Sequence, residues 1–398
     1  MSAAPEAPGP AERMVLSGGQ VVDLARIDSA FSALWRQAVT QLGPGQGENI
    51  VRACLWNVVV YSTDPAPDAP AAGPGAAGPA LQELLDEVTL SVPSRVIWLR
   101  QLSGGPPPGT PEVQAEICAH CIRGGTRAGT VSCEQVTLTA YGQAATDHFP
   151  ALVRALLVPD LPMALVWQQA LPRRSRLLSQ LLRMAQRLLV DSHVPSLPGT
   201  LIELNELVRG TQAEAVDLGW SRLTPVRYLL ASMFDPPGHA ENLKRMESVE
   251  VLTTVPGRNQ GLLLLGWLLS RCGYATFKAV DLPLRPAPPE EHYRWQVRQD
   301  GKGFPVHLST RAGVQGRYYD GILGLVIQAG GERYSLERVD EEHVVLESAN
   351  HHAQRLALHG WGDAELMVAA LGSARGDPLY REALAIAASL MDTEAWNQ

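Results

Sequence analysis

The sequence predicts an α/β protein, with a mostly parallel, doubly wound N-terminal sheet followed by an α+β C-terminal domain. Three observations carry this expectation. Several runs in the first half are apolar at consecutive positions, as strands buried on both faces are. Amphipathic helical segments separate these runs, and that alternation is what β-α-β crossovers require. From Ala275 onward the segments turn β-rich. At 398 residues the chain exceeds one ordinary core, so two domains are expected. The boundary is placed near Ser192 to Gly199, giving 21–195 and 196–398 after a disordered Ala/Pro/Gly/Glu tail at 1–20.

In chain order, Leu24, Ile27, Phe31, Leu34, Trp35 and Val39 recur at three- and four-residue steps, which predicts a helix from Val21 to Gln41. "ACLWNVVVYS" (Ala53 to Ser62) is a buried strand. A Pro/Gly insertion separates it from a short helix near Leu81 to Glu87, and "SRVIWLR" (Ser94 to Arg100) is the next strand. Residues 113–123 and 131–140 alternate as strands and are joined by "GGTRAG", whose glycines suit a hairpin turn. "DHFPALVRALL" is a helix with Asp147 as its N-cap. "PMALVWQ" is a strand, "SRLLSQLLRMAQ" a helix and "RLLVDS" (Arg187 to Ser192) a strand. In the second half, "LIELNELV", "PVRYLLASMF" and "NQGLLLLGWLLSRCG" read as helices and "ESVEVLTTV" as a strand. "TFKAVDL", "YRWQVRQ", "FPVHLST", "YDGILGLVIQAGGERYSLERV" and "HVVLESA" read as further strands, before a final helix, "LYREALAIAASLM".

A composition of 45% hydrophobic and 19% charged residues is that of a globular protein. The first 20 residues lack a basic start and an apolar segment, and the longest apolar run, Gly261 to Leu269, is far short of the ~20 residues a spanning helix needs. A cytoplasmic protein with no membrane contact is expected. The net charge of −8 offers no overall attraction to nucleic acid. Only three lysines occur, so 30 of the 33 basic residues are arginine. That bias weakens any reading of a single arginine, and "RRSR" (Arg173 to Arg176) is taken as a solvated helix start.

No catalytic or cofactor motif is complete. Cys118 and Cys121 form C-x-x-C, but in a strand they point to opposite faces roughly 10 Å apart at ~3.3 Å per residue, and no second metal-ligand pair follows. Cys118 and Cys133 are expected to face each other across the hairpin, either as structural thiols or as a redox-responsive pair. "GPGQGENI" (Gly43 to Ile50) precedes a strand, whereas a dinucleotide fingerprint follows one. His351 and His352 are taken as a polar turn before the next strand. Asp191 and Ser192 end a parallel strand, where doubly wound sheets bind ligands and where turns also place such residues, and with the parallel sheet they carry the alternative reading of a sugar-phosphate-binding protein or enzyme. In "DLGWSRLTPVRYLLASMFDPP" (Asp217 to Pro237), Thr224 is expected as an N-cap with Pro225 at the first helical position. Trp220, Arg222 and Arg227 in that segment have the side-chain types of interface hot spots, although Trp220 equally suits packing between domains. No cofactor or metal is expected.

Taken in order, "IDSAFSALW", "RACLWNVVVYS", "SRVIWL", "CEQVTLTAYGQAATDHFPALVRALLVPDLPMALVW", "RLLVDS", "DLGWSRLTPVRYLLASMFD" and "GLLLLGWLLSRCGY" resemble the glucose-6-phosphate dehydrogenase assembly protein family, OpcA. The likeness runs from about Ile27 to Tyr274. Two positions depart from the family pattern as paired tryptophans and T-P-W-R, reading "VWQ" and "TPVR" here. The resemblance implies a non-catalytic partner that binds glucose-6-phosphate dehydrogenase, promotes its active oligomer and supports NADPH production in the oxidative pentose phosphate pathway. Such activation requires only tighter binding to the active state, with a coupling of ~1 to 3 kcal/mol.

Overall fold

The computed structural model describes residues 12–15, 19–42, 50–51, 54–63, 79–123, 130–172, 174–193, 200–274, 277–279, 291–299, 302–311, 321–348, 351–373 and 376–391. The Gly43 to Gly47 loop, the 64–78 insertion, the "GGTRAG" turn and most of "HVPSLPG" lie outside them.

The first sheet is built from β1 (Glu12–Val15), β2 (Gln20–Val22), α1 (Ile27–Leu42), β3 (Ile50–Val51), β4 (Trp56–Thr63), α2 (Pro79–Ser91), β5 (Ser94–Leu102), β6 (Val113–Arg123), β7 (Thr130–Tyr141), α3 (Phe149–Leu156), β8 (Met163–Trp167), α4 (Arg176–Leu182), β9 (Arg187–Val190), α5 (Thr200–Gly210) and β10 (Glu214–Asp217). The strand order is β1-β6-β7-β5-β4-β8-β9-β10. From β7 through β10 every neighbour is parallel, and β6 and β1 extend the sheet antiparallel. Alternate side chains feed opposite faces. Val59, Ile97, Leu99 and Leu165 face α1, α3, α4 and α5, whereas Val58, Val60, Trp98 and Val166 face α2. The expected doubly wound α/β sheet is therefore present.

Chain continues through α6 (Leu218–Arg222), α7 (Thr224–Ser232), α8 (His239–Asn242), β11 (Met246–Thr254), α9 (Arg258–Arg271), β12 (Phe277–Ala279), β13 (His292–Gln299), β14 (Lys302–Arg311), β15 (Ile322–Ala329), β16 (Glu332–Arg338), β17 (His343–Ser348), β18 (His351–Ala357), α10 (Asp363–Gly372) and α11 (Pro378–Met391). The second sheet runs β12-β13-β14-β11-β15-β16-β17-β18. Among the described residues only β11 and β14 pair in parallel within it. Gly330 and Gly331, at φ +62° and +79°, form the two-residue turn between β15 and β16, where both positions need the left-handed region. One apolar cluster continues from the first sheet through α9 and α11 to Val249, Val306, Ile327 and Tyr334 of the second.

Several expectations are corrected. The 1–20 tail is not wholly unstructured, because β1 pairs with β6 and covers backbone groups an edge strand would leave open. Val21 belongs to β2, and helical structure starts only after Asp23, whose side chain accepts from Ala25 N at 3.0 Å. The first sheet does not stop at Ser192 to Gly199, since β10 adds to β9 beyond it. Asp147 lies within a 3-10 turn, Ala144–His148, that runs directly into α3, so the helix needs no side-chain cap. Thr224 is no N-cap either: α6 passes into α7 through Leu223, whose carbonyl accepts from Arg227 N at 2.9 Å. His351 and His352 begin β18 instead of forming a turn. Helix α10, absent from the sequence expectation, joins α2 over the second face of the first sheet through Leu366, Met367, Ala370 and Leu371.

Candidate functional site

Parallel pairing sets Val190 of β9 beside Asp217 of β10, so both strands deliver their following residues to the same carboxyl-terminal edge. Asp217 is the N-cap of α6. Its Oδ1 accepts from Gly219 N at 2.9 Å and from Ser192 N at 3.0 Å, and its Oδ2 accepts from the Tyr380 hydroxyl at 3.2 Å. It is 1% exposed. Burial pushes its carboxyl up to about 6, with the charge of Asp191 adding to that shift and the amide bonds opposing it. The Tyr380 hydroxyl is raised well above its ordinary value by the same burial and by Asp217. Gly219 is required here because a Cβ would meet Ser192 Oγ at 2.5 Å. Asn259 Nδ2 donates to Ser192 O at 2.8 Å, which ties the first turn of α9 to this edge.

Around this buried acid lie the other candidates. Arg222 closes α6 and reaches two carboxylates, donating from Nη1 to Asp191 Oδ1 and from Nη2 to Asp363 Oδ1, each at 2.7 Å. Burial works against its charge, yet the two carboxylates more than offset this and hold the guanidinium above its usual range. The contact also anchors Asp363, the first residue of α10. Trp220 is 4% exposed and donates from Nε1 to Asp377 Oδ2 at 2.8 Å. Its ring lies beneath the Arg227 guanidinium, whose centre is 3.6 Å from the ring centroid. Arg227 donates from Nη2 to Thr224 Oγ1 at 2.9 Å, and burial lowers its pKa to about 10 against the pull of Asp377.

Five residues singled out from the sequence, Asp191, Ser192, Trp220, Arg222 and Arg227, thus converge on one edge. Trp220 is buried, so any partner meets it through Arg227 lying over it. Asp191 is already committed to Arg222 and to His193 N. The buried Ser192 side chain sits against Asp217 and favours its charged form. The sequence reading missed Asp217, Trp361, Asp363, Asp377 and Tyr380. Of these only Asp217 carried a local signal, an acid two residues before the glycine of a helix start.

Cys118 and Cys133 lie elsewhere in the first sheet. The register sets Cys118 opposite Gln135 and Cys133 opposite His120, so the two thiols are diagonal neighbours and do not stand directly face to face. Neither is in a disulfide; Cys133 is buried and its Sγ contacts Thr89 O at 3.6 Å. Among the described residues no group of three or more His, Cys, Asp or Glu is placed to hold a metal ion, and no helix is long and apolar enough to cross a membrane.

Fold and site together define a two-sheet α/β protein whose parallel-sheet edge is tied by an acid, arginine and aromatic cluster to helices from the far end of the chain. A family model described as the glucose-6-phosphate dehydrogenase subunit N-terminal domain matches residues 86–206, and its C-terminal counterpart matches residues 213–384. The chain belongs to this family, OpcA. Two curated relatives carry the name putative OxPP cycle protein OpcA. The one from Synechocystis sp. is 30% identical over 190 residues, 47% of this chain and 39% of that protein. The one from Nostoc punctiforme is also 30% identical over 190 residues, 47% of this chain and 40% of that protein. The matched region thus spans less than half the length of either relative. Among solved structures, an NAD-binding oxidoreductase from Klebsiella pneumoniae aligns at TM-score 0.48 and 12% identity, covering 86% of this chain and 97% of that one. A putative oxidoreductase from Thermotoga maritima aligns at TM-score 0.45 and 8% identity, covering 86% and 97%.

Proposed function

We propose that this protein is a non-catalytic, cytoplasmic assembly factor for glucose-6-phosphate dehydrogenase that promotes the active oligomer of the enzyme and so supports NADPH production in the oxidative pentose phosphate pathway. The observation that carries the proposal is the pair of family models, matched in order over 86–206 and 213–384. Activation of this kind needs differential binding alone. A partner that prefers the active oligomer by ~1 to 3 kcal/mol changes apparent affinity for substrate by about 5- to 150-fold.

The test is titration of the purified protein into the dehydrogenase of the same organism, following oligomeric state and the apparent KM for glucose 6-phosphate. A shift toward the larger oligomer with a lower KM is expected; if neither quantity moves, the proposal fails. We place the contact at the cluster edge, where Arg222 and Arg227 are partly exposed and Tyr228 and Trp361 present large aromatic surface at 74% and 53% exposure. Arg222→Ala removes the bridge between Asp191 and Asp363, so activation should weaken while the protein stays folded. Unaltered activation would remove Arg222 from the contact.

A further inference from the structure

Beside Asp217 a cavity of about 190 Å³ opens between α6, α7, α10 and α11, with Trp220, Thr224, Arg227, Trp361 and Asp377 in its wall. Among the described lining residues Arg227 is the one cation. The Trp220 ring covers one side of the guanidinium at 3.6 Å, which leaves the N–H edge as its hydrogen-bonding side. On that edge Nη2 donates to Thr224, whereas Nε–H is buried and has no partner among the described residues. Asp377 acts on Arg227 through space without a hydrogen bond.

The two carboxylates in the wall are engaged elsewhere. Asp217 accepts from Ser192, Gly219 and Tyr380. Asp377 accepts from Trp220 Nε1 and from Leu379 N at 2.9 Å, at the start of α11, where the helix dipole favours a negative charge. A planar guanidinium edge matches an oxyanion. Thr224 accepts from Arg227 and so keeps its hydroxyl proton available to a ligand. At about 190 Å³ the cavity is larger than a lone carboxylate fills.

We propose that this cavity binds the phosphate group of a small phosphate monoester, with Arg227 and Thr224 holding the phosphate oxygens and Trp361 flanking the organic part. The site concerns the protein alone and does not rest on the dehydrogenase reading.

The experiment titrates the purified full chain, without any partner, with inorganic phosphate, phenyl phosphate and acetate at constant ionic strength, reading tryptophan fluorescence and, for the two phosphates, 31P line width. Saturable responses to both phosphates and a much weaker one to acetate are expected. Arg227→Gln should weaken phosphate binding about tenfold or more, the scale of one lost charge-assisted hydrogen bond. Trp361→Ala, at an exposed position, should weaken phenyl phosphate more than inorganic phosphate. The proposal is overturned if neither phosphate binds saturably, if acetate binds equally well, or if Arg227→Gln remains folded and binds unchanged. Should Arg227→Gln fail to fold, Trp361→Ala decides, and unchanged binding of phenyl phosphate overturns the proposal. Each of these failures leaves the dehydrogenase titration standing on its own result.

Discussion

Gly266→Ala is expected to destabilise the protein by roughly 3 kcal/mol or more, at the upper end of overpacking costs, because α9 and α11 meet backbone to backbone at that position. A Cβ on Gly266 would collide with the Ala383 carbonyl and stand 3.1 Å from Ala387 N. Side chains can swing away from an added methyl, but a helix backbone must move as a unit. The movement would separate Leu262, Leu263 and Leu265 of α9 from Ala383, Leu384 and Ala387 of α11, all buried in the same cluster. Gly210→Ala in α5 is the control. Nothing lies within 4 Å of a Cβ there, so helix propensity should make that change neutral or favourable by up to about 1 kcal/mol. Urea unfolding of both variants checks the expectation, and equal midpoints would mean that the two helices do not approach this closely.

Asp217→Ala should cost a similar amount for a different reason. It strips the acceptor from the Ser192 and Gly219 amides and from the Tyr380 hydroxyl, and each unpaired buried group costs about 1–3 kcal/mol. Asp217→Asn keeps an oxygen for both amides and can donate to Tyr380, so its cost should be small at acid pH, where the Asp217 carboxyl is also neutral. The pH dependence separates charge from geometry. With its carboxyl at about 6 when folded against an ordinary 3.8, Asp217 holds its proton more tightly in the folded state. Its contribution is therefore fully present below the unfolded value and is lost as pH rises toward 6, a decline of about 3 kcal/mol at 1.36 kcal/mol per unit. The Asn variant lacks this decline. Unfolding midpoints of both proteins across that pH window should converge at the acid end and separate in favour of Asn above it; parallel curves would sink the assignment.

The strands of the first sheet were legible because burial on both faces writes itself as a continuous apolar run, as in Val58 to Val60 and Val96 to Leu99. The hairpin of β15 and β16 was blurred into one segment, since its turn is only the two glycines. The site was half legible. Asp191 with Ser192 and Trp220 with Arg222 and Arg227 stood out as two separate segments, one read as a ligand edge and the other as an interface. What unites them is β10, a four-residue strand too short to announce itself by periodicity. Asp363, Asp377 and Tyr380 lie 141, 157 and 163 residues beyond their partners Arg222, Trp220 and Asp217. Local pattern carries no information about pairings at that separation.

Closure by α10 and α11 also sets an order of events during synthesis. The first sheet has its strands by Asp217, but part of its second face is covered only by α10, and the acceptor of the Tyr380 hydroxyl and the donor to Asp377 wait for α11. A nascent chain therefore carries an incompletely covered apolar sheet face until α10 has emerged, the kind of exposed surface that aggregates or recruits chaperones. Fragments cut between the two sheets would inherit that exposure permanently, so the two halves are expected to be soluble together and aggregation-prone apart.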